Sequence, residues 1–84
     1  MRILRLPDVQ GATGYPSKSS VYALINQGLF TKPVPIGARS VGWPDHEVYA
    51  INVARVAGKS HDEIRALVNR LHQQRQEMAE GVAA

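Results

Sequence analysis

The fold is decided by residues 29–43, which read LFTKPVPIGARSVGW. Two prolines and two glycines among these fifteen residues exclude a helix. Apolar residues alternate with other residues on both sides of a short loop at 37–40, which is the pattern of two paired strands. The alternating apolar residues are Val34, Ile36, Val41 and Trp43. The segment therefore predicts a β-hairpin with Arg39 in its tip.

Two short helices are predicted immediately before this hairpin. The first covers about residues 7–13, from Pro7, which a helix start tolerates, to Gly14, which ends it. The second covers about residues 18–27, with Ser17 as its N-cap. Two helices joined by a tight turn form a helix-turn-helix, and a hairpin directly after it is a wing.

Three further elements complete the predicted fold. Residues 2–6 alternate loosely and indicate a short lead-in strand. A third helix runs from Pro44 to about Ala57, and a last helix runs from about His61 to Met78 behind the capping box Ser60–Glu63. The fold class is thus mainly α with a small β-hairpin, a winged helix-turn-helix followed by a C-terminal amphipathic helix.

The last helix divides the chain into a body and a tail. We expect a winged helix-turn-helix domain at 1–58, a C-terminal helix at 59–80 and a frayed end at 81–84. The helix to Met78 is about 27 Å long, which is more than a small domain covers. We interpret its distal part as an oligomerisation helix, with folding back onto the domain as the alternative. The apolar stripe consists of Ile64, Leu67, Val68, Leu71 and Met78.

Positive charge is concentrated in the body. Residues 1–59 contain seven basic and three acidic side chains, a net charge of +4, whereas residues 60–84 contain three basic and four acidic ones, a net charge of −1. This distribution favours a polyanion as the partner of the body. The predicted second helix presents Lys18, Ser19, Tyr22 and Ala23 on its exposed face, where its N-terminal end can enter a major groove.

Several basic side chains are candidates for phosphate contacts. We expect Lys18, Lys32 and Arg39 to make such contacts, together with Arg2 and Arg5. For Arg39, the alternative is a solvated loop charge. A second open choice concerns an aromatic residue, Tyr22, which either reaches the DNA or forms a partly buried ring.

Other classes of function find no support in the sequence. The chain has no cysteine, and His46, His61 and His72 lack the spacing of a metal site. No nucleophile elbow, P-loop or dinucleotide motif occurs, so we expect no cofactor, no metal and no enzymatic activity. The absence of a long apolar run or of a signal-peptide pattern predicts a cytoplasmic protein.

Four segments together resemble the AlpA family of prophage regulatory proteins. They read ILRLPDV (3–9), TGYPSKSSVY (13–22), INQGLF (25–30) and PVPIGARSVGW (33–43), and the acidic start of the next helix follows them. The resemblance covers about residues 3–57. It implies a winged helix-turn-helix related to phage excisionases and to the DNA-binding domain of MerR-type regulators.

The resemblance also assigns residues by position. It implies that the recognition helix carries Ser17, Lys18, Ser19, Ser20 and Tyr22, and that the wing carries Arg39 and Ser40. The chain departs from the family pattern at Ala23, where a basic residue is usual, and at Ile51, where tryptophan is common. Alanine makes no bidentate base contact, although it can touch a thymine methyl group. Isoleucine still fills a core position.

The function implied by the resemblance is DNA binding in a mobile element. Members of the family act as transcriptional regulators or as recombination directionality factors, which bend DNA beside attachment sites and bias an integrase toward excision. We therefore expect double-stranded DNA as the partner, a homo-oligomer that assembles cooperatively along it, and an integrase as a further candidate partner. The alternative, left open by Ala23, is a protein–protein adaptor on a winged-helix scaffold without DNA binding.

Overall fold

The computed structural model describes residues 1–83 and has the predicted winged helix-turn-helix fold. Helices dominate, and three short strands form a small antiparallel sheet. The C-terminal amphipathic helix follows the wing and the third helix, as expected. The elements in chain order are β1 (Ile3–Leu4), α1 (Leu6–Thr13), α2 (Lys18–Asn26), β2 (Val34–Pro35), β3 (Val41–Pro44), α3 (Asp45–Val56) and α4 (His61–Ala83).

The helix boundaries follow from the predicted capping residues. The Ser17 hydroxyl accepts a hydrogen bond from the Ser20 backbone N–H at 3.1 Å and so caps α2. At the start of α4, the Glu63 N–H donates to the Ser60 hydroxyl, and the Ser60 N–H donates back to the Glu63 carboxylate. Gly14 ends α1 in the left-handed conformation with φ of +80°, where a side chain would be strained.

The sheet extends the predicted hairpin by one strand. β3 lies in the centre and pairs antiparallel with β2 on one side and with β1 on the other. The lead-in strand was predicted, but its pairing with β3, which places Leu4 opposite Trp43, was not. The wing loop closes through a 2.9 Å hydrogen bond from the Ile36 N–H to the Ser40 carbonyl.

Gly42 is required because β1 lies against it. A Cβ atom at this position would overlap the Cγ2 of Ile3 and would lie 2.9 Å from the carbonyl oxygen of Leu4. We expect Gly42→Ala to lower the free energy of unfolding by about 1–3 kcal/mol through overpacking, measured by urea denaturation. Gly37→Ala is the matched control, since its Cβ would meet only Ser40 at 3.8 Å. Equal stability of the two variants would refute this account.

The core joins the wing, the helix-turn-helix and α4. Trp43 is fully buried, its ring lies 6.2 Å from that of Phe30, and its indole N–H donates to the Thr31 carbonyl. The same cluster includes side chains from every helix. Its buried apolar members are Val9, Val21, Leu29, Phe30, Trp43, Val48, Ile51, Ala54, Ile64, Val68 and Leu71.

The structure corrects the assignment of the α4 stripe. Ile64, Val68 and Leu71 were predicted as oligomerisation residues, but they are buried in the core of their own chain. Their apolar surface is already covered, because α4 packs along α3, which was the alternative prediction. Of the remaining stripe residues, Leu67 is half-buried and Met78 is exposed.

The C-terminal boundary also differs from the prediction. α4 continues through Ala83, so residues 81–83, which the sequence predicts as a frayed end, are helical. Glu80, Val82 and Ala83 offer no helix-stopping signal, and the one glycine of this stretch, Gly81, only weakens a helix. The last residue of the predicted frayed end, Ala84, lies outside the described residues.

A buried ion pair attaches α4 to α3 and to the base of the wing. Both carboxylate oxygens of Glu47, which is fully buried, accept hydrogen bonds from Arg75 at 2.6 and 2.7 Å. The Arg75 guanidinium also donates to the Lys32 carbonyl at 2.7 Å. Because the guanidinium bridges three elements, it holds the segment before β2 against the two C-terminal helices.

His72 makes a second contact with the same segment. Its Nε2 accepts a hydrogen bond from the Lys32 N–H at 3.0 Å, which only an imidazole unprotonated at this atom can do. Burial, and then the nearby Arg75, lower the pKa of His72 below its ordinary value of 6.5, while Glu47 opposes this shift. The folded state therefore favours neutral His72.

This contact predicts a pH dependence of stability. Since the folded pKa is the lower one, the stabilisation is complete above the unfolded pKa and is lost as the pH falls through the folded pKa. We expect the free energy of unfolding to decrease between about pH 7.5 and pH 5.5 in urea denaturation series. His72→Gln, which can still accept the Lys32 N–H, should flatten the profile in this window. An unchanged profile in that variant would show that another group is responsible.

Candidate nucleic-acid interface

The N-terminal end of α2 presents a polar, basic surface. Lys18 and Ser19 are exposed in its first turn, and Ala23 and Asn26 are exposed further along the helix. Backbone N–H groups at a helix start favour bound anions, and Lys18 adds a positive charge there. The arrangement can therefore bind a phosphate or another anion.

Two of the serines predicted to contact DNA form hydrogen bonds within the protein. The hydroxyls of Ser17 and Ser20 lie 3.0 Å apart and bond to each other, and both side chains are half-buried. Ser17 also forms the cap of α2. Both residues are positioned at the predicted surface, but their principal contacts stabilise the helix start.

Tyr22 connects α2 to the sheet. Its ring is half-buried and meets the Trp43 ring edge-on, with the centroids 6.4 Å apart. The Lys18 ammonium lies 5.8 Å from the centre of the same ring on the solvent side. The ring of Tyr22 is thus partly buried, as in the alternative prediction, and the contact of this residue with DNA stays a prediction. The Lys18–Tyr22–Trp43 contacts join the outer face of α2 to β3.

The wing carries the other predicted contacts. Arg39 is exposed in the loop between β2 and β3, and Ser40, which is half-buried, closes that loop through its carbonyl. The Lys32 side chain is exposed, whereas its backbone is held by His72 and Arg75. The side chains of Lys32 and Arg39 are exposed to solvent, and the backbone of Lys32 is held in place by two hydrogen bonds.

Several basic side chains outside this region bind the protein itself. Arg55 donates to the Thr13 carbonyl at the end of α1 and lies over the Tyr15 ring at 4.6 Å. Arg65 donates to the Gln27 carbonyl at the end of α2. Such contacts satisfy carbonyl groups that helix C-termini leave free, and the positive charge is favoured at the negative end of the helix dipole.

The basic residues that remain free are concentrated in the first half of the chain. Residues 1–41 contain five basic side chains and one acidic side chain, Asp8, a net charge of +4. All five are exposed, and none joins an ion pair within residues 1–83. They are Arg2, Arg5, Lys18, Lys32 and Arg39. Residues 1–41 thus carry an accessible excess of positive charge.

Comparison with known proteins identifies the family. The family model described as Prophage CP4-57 regulatory protein (AlpA) matches residues 2–50. The chain belongs to this family. The family description is that of a prophage regulatory protein, and the matched residues contain every residue predicted to contact DNA, from Arg2 to Ser40.

A curated relative agrees with the AlpA assignment. The chain is 40% identical over 58 residues to a protein of Enterobacteria phage P4 named Uncharacterized protein ORF88. The aligned segment covers 69% of this AlpA-family chain and 65% of the length of the phage protein. No solved structure matches the chain.

The contacts by which α4 holds α3 and the segment before β2 in this AlpA-family protein were not predicted from the sequence. Arg75 and His72 lie outside the matched residues, and their contacts with Glu47 and Lys32 span 28 and 40 positions. One signal was present, since Arg75 interrupts the apolar stripe of α4 and a charge in such a stripe requires a partner. Glu47 gave no such signal, because the helix dipole already favours an acidic side chain in the first turn of α3.

Residues 1–83 contain neither a metal site nor a membrane-spanning helix. No group of three or more His, Cys, Asp or Glu side chains is arranged to hold a metal ion there. None of the helices in the described part of the chain is long and apolar enough to span a membrane.

Proposed function

We propose that this AlpA-family protein is a sequence-specific DNA-binding protein of a mobile element. It acts as an excisionase or recombination directionality factor, as a transcriptional regulator, or as both, at the nucleoid in the bacterial cytoplasm. The observation that carries the proposal is the set of five exposed, unpaired basic side chains in residues 1–41, opposed by a single acidic one.

The helix-turn-helix supplies the direct contacts. A helix of about 10–12 Å diameter fits the major groove, which is about 12 Å wide. Lys18 and Ser19 then lie at the inserted end of α2, and Ala23 can contact a thymine methyl group. Tyr22, whose ring meets that of Trp43, contributes a phosphate contact through its hydroxyl.

The wing and the residues on either side of the N-terminal strand β1 contact the sugar-phosphate backbone of the DNA. Arg39 binds phosphate or enters the minor groove from the loop, and Lys32, Arg2 and Arg5 neutralise phosphates on either side. These contacts position the protein and carry little sequence information. A single module of this size binds weakly, so useful specificity requires copies side by side on the DNA.

The salt dependence of binding tests this proposal. Four or five phosphate contacts give a slope of roughly −4 when the logarithm of the association constant is plotted against that of the salt concentration. Fluorescence anisotropy with a labelled duplex from the element would give this slope. A slope near zero, or no binding at low salt, would overturn the proposal.

A protein–protein adaptor remains the second candidate, because α3 presents an apolar stripe to solvent. Tyr49 and Val56 are 71% and 90% exposed, and Val53 lies between them on the same helix face. The missing basic side chain at Ala23 also favours this alternative. A purified protein that binds no duplex at low salt but captures a defined partner would establish it.

A further inference from the structure

The distal end of α4 is an acidic amphipathic helix segment that has no packing partner within residues 1–83. Residues 76–82 are all exposed, and Met78 and Val82, which are four positions apart, lie on one face at 41% and 90% exposure. Beyond Arg75 the sequence contains two acidic residues, Glu77 and Glu80, and no basic one. This segment differs from the rest of the chain, which is basic.

A groove that carries two basic side chains lies between α3 and α4. It has a volume of about 380 Å³, with an apolar floor and charged side chains on its rim. On the rim, Glu63 is engaged by the Ser60 N–H and lies 3.8 Å from Lys59, while Arg70 forms no ion pair within residues 1–83. The groove residues are Ala54, Lys59, Glu63, Ala66, Leu67 and Arg70.

The two surfaces are complementary, but one chain cannot join them. Leu67 in the groove and Val82 at the distal end lie on the same helix, about 22 Å apart at 1.5 Å per residue. We propose that the distal end of α4 of one copy binds the α3–α4 groove of a second copy. Met78 and Val82 then cover the apolar floor, and Glu77 and Glu80 face Lys59 and Arg70.

This contact is head to tail, which determines the kind of assembly. Each copy offers one groove and one distal end, so the contact repeats in one direction and gives an open chain of copies unless a ring closes. The interface is small and weak in free solution, and side-by-side binding on DNA strengthens it by raising the local concentration. It reassigns Leu67 and Met78 to opposite sides of one interface.

Disulfide trapping of cysteine variants tests the contact directly, since the natural chain has no cysteine. Ala66→Cys places a thiol in the groove and Val82→Cys places one at the distal end. Under mild oxidation without DNA, we expect the mixture of the two variants to form a heterodimer that exceeds the homodimers of either variant. Ala23→Cys, on the exposed surface of α2, paired with Val82→Cys measures random collision.

Charge-reversal variants distinguish this contact from other ways in which two copies can associate. Glu77→Lys with Glu80→Lys in the Val82→Cys chain should abolish the heterodimer, and Lys59→Glu with Arg70→Glu in the Ala66→Cys chain should restore it. A Val82→Cys homodimer as abundant as the heterodimer would indicate a symmetric contact and overturn the proposal, as would trapping no greater than the collision control. Because DNA is absent, the outcome is independent of the proposed DNA binding.

Discussion

Replacing Arg75 with alanine is expected to lower the free energy of unfolding by about 3–5 kcal/mol, a large part of the stability of a small domain. The substitution leaves the Glu47 carboxylate, which is fully buried, without its partner for both oxygens. It also removes the donor to the Lys32 carbonyl at the base of the wing. The large effect arises from the unpaired buried charge rather than from the strength of the ion pair itself.

Urea denaturation followed by circular dichroism measures this change. Arg70→Ala is the matched control, since Arg70 is exposed on the same helix, and it should shift stability by no more than about 0.5 kcal/mol. Combining Arg75→Met with Glu47→Met should recover much of the loss, because an apolar pair needs no buried counter-charge. Equal effects of Arg75→Ala and Arg70→Ala would contradict the described ion pair.

The second large effect is expected on DNA affinity. Lys18→Ala combined with Arg39→Ala should abolish detectable binding at physiological salt, because it removes the cations of the recognition helix and of the wing together. Each lost phosphate contact should also reduce the salt slope by about one, from roughly −4 to roughly −2 where low-salt binding can still be measured.

A matched charge change elsewhere makes this test specific. Lys59→Ala with Arg70→Ala removes the same net charge from the α3–α4 groove and should leave the affinity for a single DNA site nearly unchanged. All four positions are exposed, so circular dichroism should show folded protein in both double variants. An equal loss of DNA affinity in the two double variants would mean that overall charge, rather than the predicted surface, determines binding.

The body of the fold was predictable from local patterns. The prolines and glycines of residues 29–43 exclude a helix and leave a hairpin as the simplest structure. Ser17, Gly14 and the Ser60–Glu63 box place helix ends to within one or two residues. Each signal acts within one turn of the helix or strand that it terminates, which is why the sequence alone reveals it.

The position of α4 was not predictable in the same way. The apolar stripe of an amphipathic helix must be buried, but the sequence pattern does not indicate whether it packs against its own chain or against a second copy. Ile64, Val68 and Leu71 are buried in the core of their own chain. The ion pair of Glu47 with Arg75 joins residues that are 28 positions apart. The exposed basic side chains were predicted as a DNA-contacting surface from their charge, whereas the hydrogen bonds of Arg55 and Arg65 to helix ends depend on tertiary contacts.

A mobility-shift titration tests the central claim of DNA binding most directly. The probes are the attachment region of the element, the nearest promoter and a scrambled duplex, each at two salt concentrations. The proposal predicts a shift of the attachment region or the promoter at lower protein concentration than the scrambled duplex, weakened by salt, with stepwise supershifts where copies assemble in excision. The absence of a shift on every probe at low salt would contradict it.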